Sequence, residues 1–218
     1  MKLDIDYNKG IIKYKLRDGT VENMSGKINL KSFYRDMHDM FVDEGFYDLI
    51  NDPDGGILMN QNKKGEAIDN KELNRTGDIF EKKYTIINKG NNSFEFECVW
   101  ELFHGANVTE HGWFEITLNF ENRVMSEVEE LDGNKKKKFQ KGDWEFRNEI
   151  VYKNNVIKKY LKTIPFVKNS ETIQKIYIEN FYKNKILKDI EYGERNIVNV
   201  IYDVMNKHFK TSIHRDVL

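Results

Sequence analysis

From Phe94 to Tyr152 apolar and polar residues alternate almost without interruption. Phe94, Phe96, Cys98, Trp100 and Leu102 share one parity, and Glu95, Glu97 and Glu101 take the other. Phe114, Ile116, Leu118 and Phe120 then alternate with Glu115, Thr117 and Asn119. A period of two sends successive side chains to opposite faces of a strand, one toward a core and one toward water. The middle of the chain therefore reads as an antiparallel meander. An earlier strand, Phe80–Ile87, ends at Asn88-Lys89-Gly90-Asn91-Asn92, and Gly105-Ala106-Asn107 turns the chain again.

The last hairpin of the meander is long. Its first strand runs from Val108 through Val124 and Val128, Asp132-Gly133-Asn134-Lys135 reads as a two-residue turn, and Phe139 to Tyr152 returns with Trp144, Phe146 and Ile150. Gly142 reads as a bulge that lets so long a hairpin bend. A compact sheet needs strands of only about 5–6 residues. The alternation outlasts that, so the spacing predicts a hairpin that projects beyond its sheet.

Residues 2–16 predict a first hairpin, with Leu3, Ile5 and Tyr7 alternating, a turn at Asn8-Lys9-Gly10, and a return from Ile11 to Leu16. Arg17-Asp18-Gly19-Thr20 is a further turn signal. Phe33, Met37, Met40 and Phe41 recur at helical spacing, predicting a helix from Leu30 to about Glu44 with Asn29 as N-cap and Gly45 at the C-cap. Residues 51–78 are polar and rich in breakers, and read as a long loop. After Pro165 one helical stripe (Ile173, Ile176, Tyr177, Phe181, Leu187) is followed, beyond Gly193, by a second (Ile197, Val198, Ile201, Tyr202, Met205, Phe209). Residues 210–218 read as a frayed tail. The expected fold class is α+β: an antiparallel β-meander with long hairpins, one helix in the N-terminal half, and two C-terminal helices packed on one face of the sheet. At 218 residues the chain is expected to form a single domain.

Composition removes several function classes. Lys plus Arg is 35 against 36 Asp plus Glu, so no global field favours nucleic acid or an anionic membrane. The start of the chain has no uninterrupted apolar run, and no stretch of ~18 apolar residues occurs, so neither a signal peptide nor a membrane span is expected. A cytoplasmic location follows as an expectation. The 1 cysteine, Cys98, cannot form an internal disulfide and reads as a small buried hydrophobe.

The helix Phe33-Tyr34-Arg35-Asp36-Met37-His38-Asp39-Met40-Phe41-Val42-Asp43-Glu44-Gly45-Phe46 is distinctive, as is the hairpin ending Phe139-Gln140-Lys141-Gly142-Asp143-Trp144-Glu145-Phe146. In this order the two resemble a family of uncharacterised archaeal α+β proteins with no assigned function. The resemblance covers about half of the chain, rests on pattern, and implies no site residue. The order hairpin, helix, meander, C-terminal helix is also similar to the helix-grip fold of START-like lipid binders, which implies a module that encloses a small apolar ligand.

Chemistry-bearing residues are sparse. Glu101, His104, Glu110 and His111 flank the Gly105–Asn107 turn. A tight hairpin there would set Glu101 opposite His111 or Gly112 and bring carboxylates and imidazoles together at a strand end. A divalent metal would accept that set, and His–Glu is also an acid–base pairing. The run Lys135-Lys136-Lys137-Lys138 has local partners: with Gly133-Asn134 as the loop, Glu130 faces Lys137 and Glu129 faces Lys138. A charge-laced hairpin tip is expected there, and a nucleic-acid site is not. No serine sits in a nucleophile elbow, no glycine run has phosphate-binding spacing, and no catalytic dyad or cofactor is implied.

Three functional classes remain. The first is a non-catalytic protein-interaction or assembly module, with a protein partner or a second copy meeting the projecting hairpin. The second is a small-molecule or lipid-binding helix-grip-like module, its cavity lined by Trp100, Trp113, Trp144, Tyr177 and Phe181. The third is a metal-dependent enzyme using Glu101, His104, Glu110 and His111.

Overall fold

The computed structural model describes residues 3–44, 78–91, 93–104, 108–132 and 135–209. Among them six strands form one antiparallel sheet in the order β1-β2-β6-β5-β4-β3. The strands are β1 (Asp4–Asp6), β2 (Ile11–Ile28), β3 (Asp78–Gly90), β4 (Ser93–His104), β5 (Gly112–Asp132) and β6 (Lys135–Asn154). Helix α1 (Leu30–Asp43) follows β2. A short α2 (Val156–Lys159) follows β6, and after a 3₁₀ turn come α3 (Glu171–Tyr177), α4 (Lys183–Gly193) and α5 (Asn199–Phe209). The α+β class and the helices on one face of the sheet are as the patterning predicts. The expected breaker run (51–78), Gly45 cap and tail (210–218) fall almost wholly outside the described residues.

The core lies between the sheet and these helices. Phe33 of α1 packs on Phe120 of β5, ring centroids 4.6 Å apart, and Phe209 of α5 touches both Phe33 and Trp144. Trp144 and Phe120 stack with centroids 5.1 Å apart. Phe96, Trp100, Phe114, Phe146 and Ile150 complete the layer, each nearly inaccessible to water. Cys98 is buried, as expected. Asn29 caps α1, its Oδ1 accepting from Ser32 N at 2.8 Å. Asp36 of the same helix pairs with Lys207 at 2.5 Å and His208 at 3.0 Å, holding α1 to α5.

Three local expectations need correction. The signal Arg17–Thr20 is not a turn: β2 runs on to Ile28 through register shifts at Lys15/Arg17 and Asp18/Thr20, with Gly19 at φ +82°. Bulges of this kind coil the strand and keep its pairing with β6. The bend of the long hairpin is real, but the extra residue lies on β5, where the register shifts between Glu121 and Met125 opposite Gly142–Glu145.

The third correction concerns the C-terminal stripes. Gly193 does not separate two helices. Its φ and ψ are −60° and −40°, and the chain stays helical from α3 to α5 through two π turns, Ile178–Tyr182 and Glu194–Val198. A Cβ on Gly193 would lie 2.4 Å from Phe114 Cε1, so glycine serves close helix–sheet approach. Each π turn adds a residue to the 3.6-residue repeat and rotates the buried face. Gln174, Ile178, Ile186 and Ile190 are buried, whereas Ile176 and Phe181 are 50% and 65% exposed.

Candidate functional site

The β5–β6 hairpin outruns its neighbours. The described pairing of β4 with β5 reaches Ser126, and that of β2 with β6 reaches Gln140. Beyond these points 128–132 pairs with 135–139 alone among the described strands. At about 3.4 Å per residue this arm extends about 20 Å. Because the β5 bulge adds one residue, parity flips: Met125 faces the core, and Glu127 and Glu129 follow it on that face. The apolar stripe therefore gives way to carboxylates where the arm leaves the core.

The arm is held together by charge. Glu129 lies opposite Lys138 and Glu130 opposite Lys137, the register the turn signal predicts. The side chains pair diagonally, Lys138 with Glu127 at 2.7 Å and Lys136 with Glu129 at 3.3 Å. At its root Lys27 pairs with Glu130 and lies 4.8 Å from the centre of the Phe139 ring. Asn29 Nδ2 donates to Lys138 O at 3.0 Å, and Leu30 N donates to Gln140 Oε1 at 3.0 Å. The residues that start α1 thus grip the base of the arm.

The opposite end of this hairpin holds the predicted metal set, and the register expected to bring Glu101 to His111 does not form. Glu101 pairs with Thr117, and His104 with Phe114. The β4–β5 connection spans 105–111 and is no tight turn, so Glu101 stands about 15–20 Å along the sheet from Gly112. Glu110 and His111 do meet, Oε1 to Nε2 at 2.8 Å. The His104 side chain lies outside the described residues. Among the described residues no three His, Cys, Asp or Glu side chains converge in a way that could hold a metal. His111 stacks edge-on against Tyr160, centroids 5.4 Å apart. Burial lowers its pKa from the usual imidazole value, Lys159 and Lys185 add to this, and Glu110 opposes it.

Beneath His111 lies a polar network that sequence reasoning missed. Asp189 of α4 is buried, and its Oδ2 accepts from Tyr152 Oη at 2.6 Å and Thr109 Oγ1 at 2.9 Å. Thr109 N donates to Oδ1 at 3.2 Å. Asn154 Nδ2 donates to Tyr152 Oη at 2.9 Å, and Asn154 Oδ1 accepts from Val156 N at 2.9 Å. A Cβ on Gly112 would fall 2.6 Å from Tyr152 Oη, so that backbone must be glycine. Burial raises the Asp189 pKa against the lowering effect of its hydrogen bonds, and burial first, then the Asp189 charge, pushes Tyr152 above the usual phenol range. The network pins 109–112 and the end of β6 to α4. Its one signal in the sequence was an aspartate among Ile186, Ile190 and Gly193 on an apolar helix face.

The residues expected to line a ligand cavity are scattered. Trp100 and Trp144 are core, Trp113 donates to Glu115 on the polar face of the sheet, Tyr177 is half-buried and Phe181 faces solvent. A hollow of about 460 Å³ on that polar face is lined by Lys13, Lys15, Glu115, Glu149 and Lys153 among others. No helix among the described residues is long and apolar enough to cross a membrane. The chain matches no family model, no curated protein and no solved structure at a significant level.

Proposed function

We propose that this protein is a non-catalytic interaction or assembly module that meets a protein partner, or a second copy of itself, through the β5–β6 arm. One observation carries the reading: 127–132 and 135–139 extend past the described strands on either side. An isolated two-stranded ribbon is marginal in water, and ordering its backbone costs about 1–2 kcal/mol per residue. This arm turns carboxylates and lysines toward the side where core residues would sit, so it contributes little burial of its own. A surface that a partner covers accounts for its length. Its charges are balanced across the strands, which favours a protein contact over a nucleic acid.

The arm also separates its charges by strand, with Glu127, Glu129 and Glu130 on β5 and Lys136, Lys137 and Lys138 on β6. Two β5 edges set side by side would juxtapose carboxylates, so the β5 edge suits a basic strand in β-augmentation. The test is a chain in which 128–138 is replaced by Asn-Gly. It is expected to keep the far-ultraviolet spectrum of the parent and to lose its partner or oligomer. Unchanged association by the shortened chain contradicts the proposal.

A further inference from the structure

We propose that the end of the molecule opposite the arm docks on an anionic bilayer surface. The segment from α2 to the start of α4 carries most of the large hydrophobic side chains that the described fold leaves in water. Phe166 is 68% exposed, Phe181 65%, Tyr160 51% and Ile176 50%. They project from an anchored base: Ile164, Ile173, Tyr177 and Tyr182 of the same segment pack against the core. The pieces are held to one another. Gln174 Nε2 donates to Val167 O at 3.1 Å and Lys168 O at 3.0 Å, seating the Phe166 turn on α3. Tyr177 and Phe181 lie 5.4 Å apart, and Tyr160 and Tyr182 6.5 Å. Lys162 Nζ donates to Asn8 O at 2.6 Å, tying the segment to the β1–β2 turn.

Charge names the occupant. Lys158, Lys159, Lys168, Lys175, Lys183 and Lys185 of the same stretch of chain are exposed. None of them makes an ion pair among the described residues, and they outnumber the carboxylates of this segment, Glu171 and Glu179, together with Glu110, which acts on Tyr182. Lys185 lies over the Tyr182 ring at 5.8 Å. A whole-chain charge of −1 conceals this local excess. Protruding phenylalanines and an isoleucine, in one segment with tyrosines and long lysines, match the headgroup boundary: apolar tips enter the acyl layer, phenol rings sit at the interface, and ammonium groups reach acidic headgroups. Single-stranded nucleic acid would use the lysines and rings but has no use for Ile176, since an aliphatic side chain offers no stacking face.

The test is flotation of the full chain with vesicles of phosphatidylcholine alone, and of phosphatidylcholine with about 30% phosphatidylserine, at about 0.1 M salt. The parent is expected to float with the acidic vesicles only. Lys158→Gln with Lys159→Gln, Lys183→Gln and Lys185→Gln weakens partitioning by about five-fold per lysine. Phe166→Ser with Phe181→Ser weakens it by at least about ten-fold. Lys136→Gln with Lys138→Gln, in the arm, leaves it unchanged. Phe166→Trp, which keeps an aromatic group in place, is expected to blue-shift on acidic vesicles. No flotation, flotation that ignores the lysine changes, an unshifted Phe166→Trp spectrum, or capture of a single-stranded RNA without vesicle binding overturns the proposal. The shortened-arm chain is expected to float like the parent, so failure here and failure of the arm proposal are separate results.

Discussion

Lysines crowd both ends of the β5–β6 hairpin. At the arm Lys136 and Lys138 lie within 3.3 Å and 2.7 Å of Glu129 and Glu127. At the other end Lys158, Lys159, Lys183 and Lys185 are exposed in the segment that carries Tyr160, Phe166 and Phe181, and form no ion pair among the described residues. The first arrangement spends its charge within the chain, and the second presents it. Below the surface the contrast reverses. Among the described residues the arm shows no buried network, whereas the lysine-rich end rests on Asp189, Tyr152, Asn154 and Thr109. Charged residues thus make a ribbon paired across its strands in one place and a cationic face on a rigid base in the other.

The largest way to break this comparison is Asp189→Ala. It strips the acceptor from the Tyr152 and Thr109 hydroxyls and from Thr109 N, and is expected to cost about 3 kcal/mol or more in urea denaturation. Replacing 128–138 by Asn-Gly is expected to cost less than about 1 kcal/mol, because the arm buries little. Equal losses would contradict a rigid base at one end only.

Tyr152→Phe sharpens the same point through pH. It is expected to cost about 2 kcal/mol at neutral pH, since Asp189 loses a donor and Asn154 Nδ2 loses its acceptor. Asp189 already binds its proton more readily folded than unfolded, so its own contribution to stability declines as pH rises from its unfolded value toward its folded one. Losing the tyrosine hydroxyl raises the folded value further. The gap between variant and parent therefore widens with rising pH and narrows in acid, and a gap that widens in acid would contradict the assignment.

Asp36 supplies the opposite sign. The hydrogen bond from Lys207 foremost, joined by that from His208, holds its carboxyl below the ordinary value against the raising effect of burial. Its contribution is complete above the unfolded carboxylate range and is lost as pH falls through the folded value. Asp36→Asn is expected to cost about 0.5–1 kcal/mol near neutrality and nothing in strong acid. The smallest effects belong to the lysines. Lys136→Gln with Lys138→Gln, and Lys183→Gln with Lys185→Gln, are each expected to leave the melting midpoint within error, and only the second pair to change vesicle binding.

How much of this was legible follows from range. Alternation is local, so Phe114, Ile116, Leu118 and Phe120 were assignable to the inner face from their own neighbours, and the Glu129–Lys138 register followed from a two-residue turn. Asn29 declared itself as a cap by its place before an apolar helical repeat. The failures needed information from elsewhere in the fold. The parity of Glu127 depends on a bulge opposite Gly142, and Glu101 misses His111 because the connection through 105–111 is longer than its glycine implied. Phe181 is exposed because a π turn rotates the helix under it. Asp189 is one polar residue on an apolar helix face, and its partners lie on β6 and in the loop before β5. The cationic end was invisible in a net charge of −1 because carboxylates elsewhere balance it.

The native mass of the untagged protein, measured beside the chain with 128–138 replaced by Asn-Gly, tests the central claim most directly. The account predicts a complex or a multiple of 26.0 kDa for the parent and a bare monomer for the shortened chain. A parent that is a bare monomer with no partner, or a shortened chain that assembles as the parent does, would contradict it.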